Sequence, residues 1–166
     1  MPIADALLPE FDREMTTTRK LLERVPEEKF AWKPHARSMS LAELATHVAM
    51  LPRWGAITVN QTEFDTSDPH NPGPAASRAD LLARFDANVA DTRAALTGKS
   101  DAEMMATWSL KRQGQTLFTM PRTVVWRTFF MNHLVHHRGQ LSVYLRLNDV
   151  PVPAMYGPSA DEAPNF

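Results

Sequence analysis

Histidines from two parts of the chain have the spacing of a metal site. His133 and His137 are four residues apart in a helical stretch, and residues at i and i+4 share a helix face with Cβ atoms about 5–6 Å apart. Two imidazoles at that spacing can bind one ion, which lies about 2.0–2.1 Å from each nitrogen. His47 offers a third imidazole from an earlier helix. The sequence therefore predicts one divalent metal ion bound by His47, His133 and His137.

All three histidines take the place of apolar residues in the rows that their helices turn inward. The row on the last helix is Trp126, Phe130, His133, His137, Leu141 and Tyr144, and the row on the earlier helix is Leu44, His47, Leu51 and Trp54. A buried polar nitrogen without a partner costs roughly 1–3 kcal/mol. One histidine on such a face is more often an ordinary core residue, but three that converge favour a metal over that alternative.

Other polar residues around the motif are assigned different roles. His136 also meets the spacing requirement, but its helical row is more polar, so we place it behind the ligands or at the edge of the bundle. Arg138 can bind an anionic group or pair with a carboxylate on another helix, and we favour the structural role. Gly139 inside a helix indicates a close approach by another element; the alternative is a tolerated surface glycine. His35 and His70 lie in proline-containing loops and are expected to be solvated.

The composition limits the classes of partner and ligand. With 18 Lys and Arg against 19 Asp and Glu, the chain has no basic field for a nucleic acid or an anionic membrane. No apolar run approaches the roughly 20 residues of a membrane span, and the start lacks a basic signal, so a cytoplasmic location is expected. The absence of cysteine excludes disulfides, thiolate nucleophiles and cysteine zinc sites. Six histidines and the carboxylates remain as metal ligands.

Apolar periodicity and helix-end signals predict four long helices in a single domain over residues 1–166. The helices cover about 8–25, about 41–60 from a capping box of Ser40 and Glu43, a third from a cap at Ser77 to the end of its apolar stripe at Leu96, and Pro121 to about Asn148. Residues 66–76 are predicted to be a loop, Ser100–Glu103 a short turn, and Trp108–Met120 a hairpin-like extended excursion. The fold class predicted is therefore all-α, a four-helix bundle with a short extended excursion before the last helix.

Two motifs resemble the DinB-like family of metalloenzymes. They are Leu41-Ala-Glu-Leu-Ala-Thr-His47-Val and Asn132-His133-Leu-Val-His136-His137-Arg-Gly-Gln-Leu141, and Trp32 followed by Pro34 is also similar. The resemblance implies an up-down-down-up course of the helices, a homodimer, and a metal triad that falls by position on His47, His133 and His137. It also implies thiol-dependent chemistry, because characterised members resemble transferases of a low-molecular-weight bacterial thiol or a mycothiol-dependent maleylpyruvate isomerase.

Three protein ligands leave open positions on an ion, which is typical of a catalytic site. A metal lowers the pKa of a thiol that binds it, so a small-molecule thiol can be activated by a protein without cysteine. We therefore expect a metal-dependent transferase whose partner is a small-molecule substrate, a bacterial thiol, with Trp54, Trp126 and Tyr144 lining its pocket. Imidazole ligands suit zinc, nickel, manganese and iron, of which zinc or nickel is favoured.

Two other functions remain open. A metal-dependent hydrolase would need a general base near the ion, and Glu43 is the only carboxylate that the sequence places one turn from His47. The capping box already accounts for Glu43, which disfavours hydrolysis. The other alternative is a noncatalytic metal-binding protein of a stress response.

Overall fold

The computed structural model describes residues 1–67 and 72–163 and contains both helices and strands. In chain order the helices are α1 (Ile3–Leu22), α2 (Leu41–Met50), α3 (Arg53–Asn60), α4 (Arg78–Leu96), α5 (Asp101–Met105), α6 (Arg122–Val125) and α7 (Asn132–Leu147). The strands are β1 (Glu63–Asp65), β2 (Thr107–Arg112) and β3 (Gln115–Pro121). A 3₁₀ turn lies at Glu27–Lys29 and a π-helical segment at Trp126–Met131. No helix in the described ranges combines the length and the apolar character that crossing a membrane requires.

The three strands form one mixed sheet in the order β1-β2-β3. Strands β2 and β3 pair antiparallel as a hairpin, which confirms the extended excursion predicted at Trp108–Met120. Strand β1 pairs parallel to β2, with Phe64 opposite Leu110. The prediction of an all-α four-helix bundle is therefore wrong, because the fold mixes helices with a sheet. A strand of three residues, none of them fully buried, carries too little alternation to be seen in the sequence.

The second predicted helix, at about 41–60, is divided in two at Pro52. Pro52 separates α2 from α3 while keeping a helical φ of −56°, and it has no backbone N–H with which to continue the hydrogen-bond ladder. Thr92 on α4 stabilises this junction, because its hydroxyl donates to the Pro52 carbonyl at 2.5 Å and accepts from the Ala56 N–H at 3.1 Å. These two hydrogen bonds hold the start of α3 against α4.

Close helix packing occurs at Gly55 and not at Gly139. A Cβ atom at Gly55 would lie 2.4 Å from Thr92 Cγ2 and 3.1 Å from ring atoms of both Phe130 and Trp126. A Cβ atom at Gly139 would meet nothing within 4 Å. The close approach predicted at Gly139 is wrong, and that residue is the surface glycine of the alternative interpretation.

The longest helices surround the main core. Helices α1 and α2 both pack against α4 and α7, and their buried faces include Phe11, Leu44, Phe85 and Leu141. A second, smaller apolar cluster connects the sheet to the rest of the fold through Ile57, Trp108, Leu110 and Val125. The predicted last helix is continuous through α6, the π-helical segment and α7, so His133 and His137 lie in its final, regular part.

Candidate metal centre

Helices α2 and α7 bring together the three histidines that the sequence singles out. His47 Nε2 and His133 Nε2 are 3.2 Å apart. The ring of His137 lies 4.4 Å from that of His47 and 4.7 Å from that of His133, between centroids. One nitrogen from each ring lies within 4.8 Å of the others, and all three side chains are half-buried. The group can hold a metal ion.

The separation of the His47 and His133 nitrogens fits two ligands of one ion. Imidazole nitrogens at 2.0–2.1 Å from an ion in tetrahedral geometry are about 3.4 Å from each other, close to the 3.2 Å between His47 and His133. The group consists of imidazoles alone and contains no carboxylate. Such a donor set suits zinc, nickel, copper and iron better than calcium or magnesium, which prefer oxygen ligands.

The surroundings keep these imidazoles neutral. The pKa of His47 is lowered from 6.5 to about 4, mainly by burial and to a smaller extent by the nearby rings of His137 and His133. Burial also lowers the pKa of His133, an effect that His137 adds to and that a hydrogen bond with the Phe129 backbone opposes. The pKa of His137 is lowered by burial as well. A neutral ring keeps the lone pair that a metal requires.

Gln140 orients one of the three rings. Its side-chain oxygen lies 2.7 Å from His137 Nδ1, one helical turn away on α7. Because a carbonyl oxygen only accepts, Nδ1 carries the hydrogen, and the lone pair of His137 is therefore on Nε2. This role of Gln140 was not predicted from the sequence, although its spacing of three residues from His137 is a visible signal.

The remaining histidines lie outside this group. His136 is exposed, and its ring centroid is 4.7 Å from that of His137, so of its two predicted positions it takes the one at the edge of the helices. His35 is exposed as predicted, and its Nδ1 accepts a hydrogen bond from the Arg37 N–H. The prediction for His70 lies outside the described residues.

Arg138 is part of a buried network on another face of α7. Its side chain is 1% exposed and donates to the Glu14 carboxylate at 2.5 Å and to Thr18 Oγ1 at 3.0 Å. Tyr156, from the segment after α7, donates to the same carboxylate at 2.8 Å. The structural role favoured for Arg138 is confirmed, because its donors bind α1 and that segment.

A cavity of ≈ 510 Å³ adjoins His47 between α2, α3, β1 and residues 72–74. Its lining residues are Met39, Glu43, Thr46, His47, Met50, Arg53, Trp54, Ile57, Phe64, Thr66, Pro72, Gly73 and Pro74. Of the three aromatic residues predicted to line a pocket, Trp54 does so. Trp126 instead packs in the core against Phe11 and Phe130. Tyr144 packs against Trp32 and donates to the Met39 carbonyl.

Glu43 lies at the cavity wall but is already engaged. It forms the predicted capping box with Ser40, whose N–H donates to the carboxylate at 2.6 Å. That hydrogen bond is the main reason that its pKa is lowered, and Lys33 at 3.6 Å adds to the effect. A carboxylate with a lowered pKa and fixed partners is a poor general base.

Known proteins share both the sequence pattern and the fold. The sequence profile of the DinB family matches residues 1–164. The uncharacterized protein YrdA of Bacillus subtilis (strain 168) is 28% identical over 165 residues, which cover 98% of this chain and 93% of that protein. Crystal structures of DinB-like proteins from Bacillus cereus ATCC 10987 and from B. subtilis (YjoA) are 22% and 20% identical, each with a TM-score of 0.70. The first comparison covers 92% of this chain and the second 90%, and both cover 97% of the known structure.

The match to the family profile extends over almost the full length of the chain and covers the residues of both histidine motifs. This confirms the resemblance noted in the sequence. The protein belongs to the DinB family.

Proposed function

We propose that His47, His133 and His137 bind a divalent metal ion, with zinc or nickel preferred to manganese or iron. The chain is then a metal-dependent transferase that joins a low-molecular-weight thiol to an organic electrophile. The observation that carries the proposal is the convergence of three neutral, half-buried imidazoles beside an open cavity. No carboxylate belongs to the group, and the chain has no cysteine. A site of this kind has to obtain its nucleophile from a small molecule.

When bound, a divalent ion would lower the pKa of a thiol that coordinates it, so that the thiolate forms near neutral pH. The residues of the chain supply the rest. His47, His133 and His137 hold the ion, and Gln140 fixes the ring of His137. Trp54 and its neighbours in the cavity would hold the electrophile beside His47.

The transfer itself is a substitution at carbon. The thiol proton goes to solvent, the sulfur forms a bond to the electrophilic carbon, and the bond to the leaving group breaks with its electron pair. No oxidant or reductant is required. Glu43 is not assigned as a base, because Ser40 and Lys33 already engage its carboxylate.

The test is thioether formation. Metal-loaded protein is incubated with a panel of low-molecular-weight thiols, mycothiol and glutathione among them, and with 1-chloro-2,4-dinitrobenzene, while product absorbance is followed. We expect a thioether with at least one thiol, and we expect metal-free protein and the His137→Ala variant to lose this activity. Rates equal to the protein-free mixture with every thiol would contradict the proposal.

The alternatives give different results in parallel assays. Hydrolysis of nitrophenyl esters without any thiol would support the hydrolase, and a bound ion without either activity would support a noncatalytic metal-binding protein. Homodimer formation and a cytoplasmic location stay predictions; sedimentation equilibrium checks the first and cell fractionation the second.

A further inference from the structure

We propose that the cavity beside His47 binds an uncharged, flat aromatic molecule. The identification of this molecule as the electrophile rests on the proposed function, but the binding itself does not. The cavity volume of ≈ 510 Å³ lies within the range of about 300–1,000 Å³ that is usual for small-molecule sites. His47 belongs both to the cavity wall and to the histidine group. A molecule in the cavity is therefore next to the candidate metal centre.

The apolar part of the wall suits an aromatic ring. It includes Met39, Met50, Trp54, Ile57 and Phe64. Trp54 makes edge-to-face contacts with Phe64 at 5.0 Å and with Phe129 at 4.9 Å, at interplanar angles of 78° and 89°. These contacts hold the indole of Trp54 in a fixed orientation in the cavity wall, where it adds apolar surface. The two methionines can adapt their flexible side chains to the outline of a ligand.

The charged groups of the wall already have partners. Glu43 accepts from the Ser40 N–H and lies near Lys33, as described above, and Arg53 is likewise engaged in an interaction of its own. A charged ligand would have to displace one of these contacts and would lose its hydration on entering. The wall also carries one negative and one positive side chain, so it presents no net charge for recognition.

The two threonine hydroxyls of the wall are engaged as well. Thr46 Oγ1 accepts from the Ala75 N–H at 2.8 Å, and Thr66 Oγ1 lies 3.3 Å from the Lys111 carbonyl, to which it donates. Contact with apolar surface is therefore the main interaction that the wall offers a ligand, and this selects an uncharged ring over a polar or ionic one.

A matched pair of inert probes tests this selection. The probes are 1,3-dinitrobenzene and 3,5-dinitrobenzoate, which share the nitroaromatic ring but differ in charge, and neither carries a leaving group. The protein is used metal-free and without thiol, because a bound divalent ion would itself attract the carboxylate. The indole N–H signals of its tryptophans are followed by ¹H–¹⁵N NMR during titration. We expect the uncharged probe to bind about tenfold or more tightly than the carboxylate, and to shift the Trp54 signal but not that of buried Trp108.

Two glutamate substitutions at exposed methionines locate the binding site. Met39 lines the cavity and is 43% exposed, whereas Met105 is 54% exposed and lies elsewhere. Both variants should fold, because neither methionine is buried. Met39→Glu should weaken binding of 1,3-dinitrobenzene about tenfold or more, while Met105→Glu should leave it unchanged. Equal effects of the two substitutions, or tighter binding of the carboxylate probe, would overturn the proposal.

The result can be separated from that of the transferase assay. Selective binding at Trp54 without any thioether product would support the cavity site and reject the proposed reaction. Thioether formation at a rate and KM that Met39→Glu does not change would support the reaction and reject the cavity as the place of the electrophile.

Discussion

Helix α7 contributes to two polar groups in the interior of this protein. They differ in whether the protein supplies a partner of opposite charge. Arg138 is 1% exposed, and its guanidinium is bound by Glu14, Thr18 and Tyr156. His133 and His137 are half-buried on another face of α7, where the nearest titratable group on α2 is a third imidazole, His47. The arginine network contains its own counter-ion. The histidine group contains only bases.

Burial alone does not show whether a polar side chain needs a ligand. Arg138 lies next to His137 in the sequence and is the more deeply buried of the two. Its donors are matched by acceptors from α1, so it requires no ligand. The histidines have neutral nitrogens that face one another and lack an acid, so a cation completes them better than the protein does. The number of matched partners, and not the depth of burial, distinguishes the Arg138 network from the histidine group.

The largest effect is expected when Arg138 loses its counter-ion Glu14. Glu14→Ala leaves the Arg138 charge buried without its counter-ion, and loss of one partner of a buried pair typically costs about 3–5 kcal/mol. The free energy of unfolding, measured by urea titration, should fall by that amount. The control is Glu10→Ala, which removes the exposed ion pair of Glu10 with Arg127 and should cost about 1 kcal/mol or less. Similar losses in the two variants would mean that Arg138 is no more dependent on its partner than a surface residue.

Removal of any one of the three histidines should strongly weaken metal binding. We expect His47→Ala, His133→Ala and His137→Ala each to lower the affinity for zinc or nickel by about 100-fold or more, beyond the usual effect of residues behind the ligands. Metal content after nonchelating purification of untagged protein, and competition with a chelating dye, measure this. His136→Ala is the matched control on the same helix and should retain the metal. A wild-type protein without any divalent ion, or three variants that all retain it, would contradict the assignment.

Acid should destabilise the metal-free protein through His47. The pKa of His47 is about 4 in the folded chain and 6.5 in the unfolded one, so the unfolded chain binds the proton first as pH falls. Stability is therefore complete above about pH 6.5 and is lost as pH falls toward 4. The full difference in pKa corresponds to at most about 3 kcal/mol, which solvent screening of a half-buried ring reduces to about 1–2 kcal/mol.

Urea unfolding at pH 7.5 and pH 5 measures this dependence. Metal-free His47→Gln should lose less stability between the two pH values than the metal-free wild-type protein does, because it lacks the group that charges. If the two proteins lose the same amount, the pKa of His47 is not shifted in the folded chain.

The grouping of the three histidines could be predicted from sequence because it depends on local geometry. Helical phase alone places His133 and His137 on one face, and the apolar row around His47 indicates that it faces the core. These rules need no knowledge of the tertiary fold. The capping box of Ser40 and Glu43 was found for the same reason, since all its contacts lie within four residues.

The missed features depend on contacts between distant parts of the chain. Strand β1 has three residues and pairs with a strand more than forty residues later, so nothing local marks it. Gly139 visibly interrupts a helical pattern, but a Cβ atom there would meet nothing within 4 Å. Gly55 is closely packed because Thr92 and Trp126, which are distant in sequence, lie against it. Trp126 fits the same apolar row as the histidines, yet the π-helical segment from Trp126 to Met131 precedes them and the indole packs against α1. Sequence periodicity shows a face but not the element that covers it.

The smallest effect concerns the hydrogen bond between Gln140 and His137, one of the contacts that the protein makes to the histidine group. Gln140→Leu removes the acceptor at 2.7 Å from His137 Nδ1, so both ring tautomers become accessible and the lone pair is no longer confined to Nε2. Metal affinity should fall about tenfold, the lower end for a residue behind a ligand. Long-range ¹H–¹⁵N NMR of the metal-free protein should show His137 change from one tautomer to a mixture. Gln140→Glu restores an acceptor and should recover the Nδ1–H form, whereas a purely structural role would leave the tautomer unchanged in both variants. The loss of metal affinity would then measure how much the histidine group depends on a contact from the chain, for comparison with Arg138, which the chain alone supplies with partners.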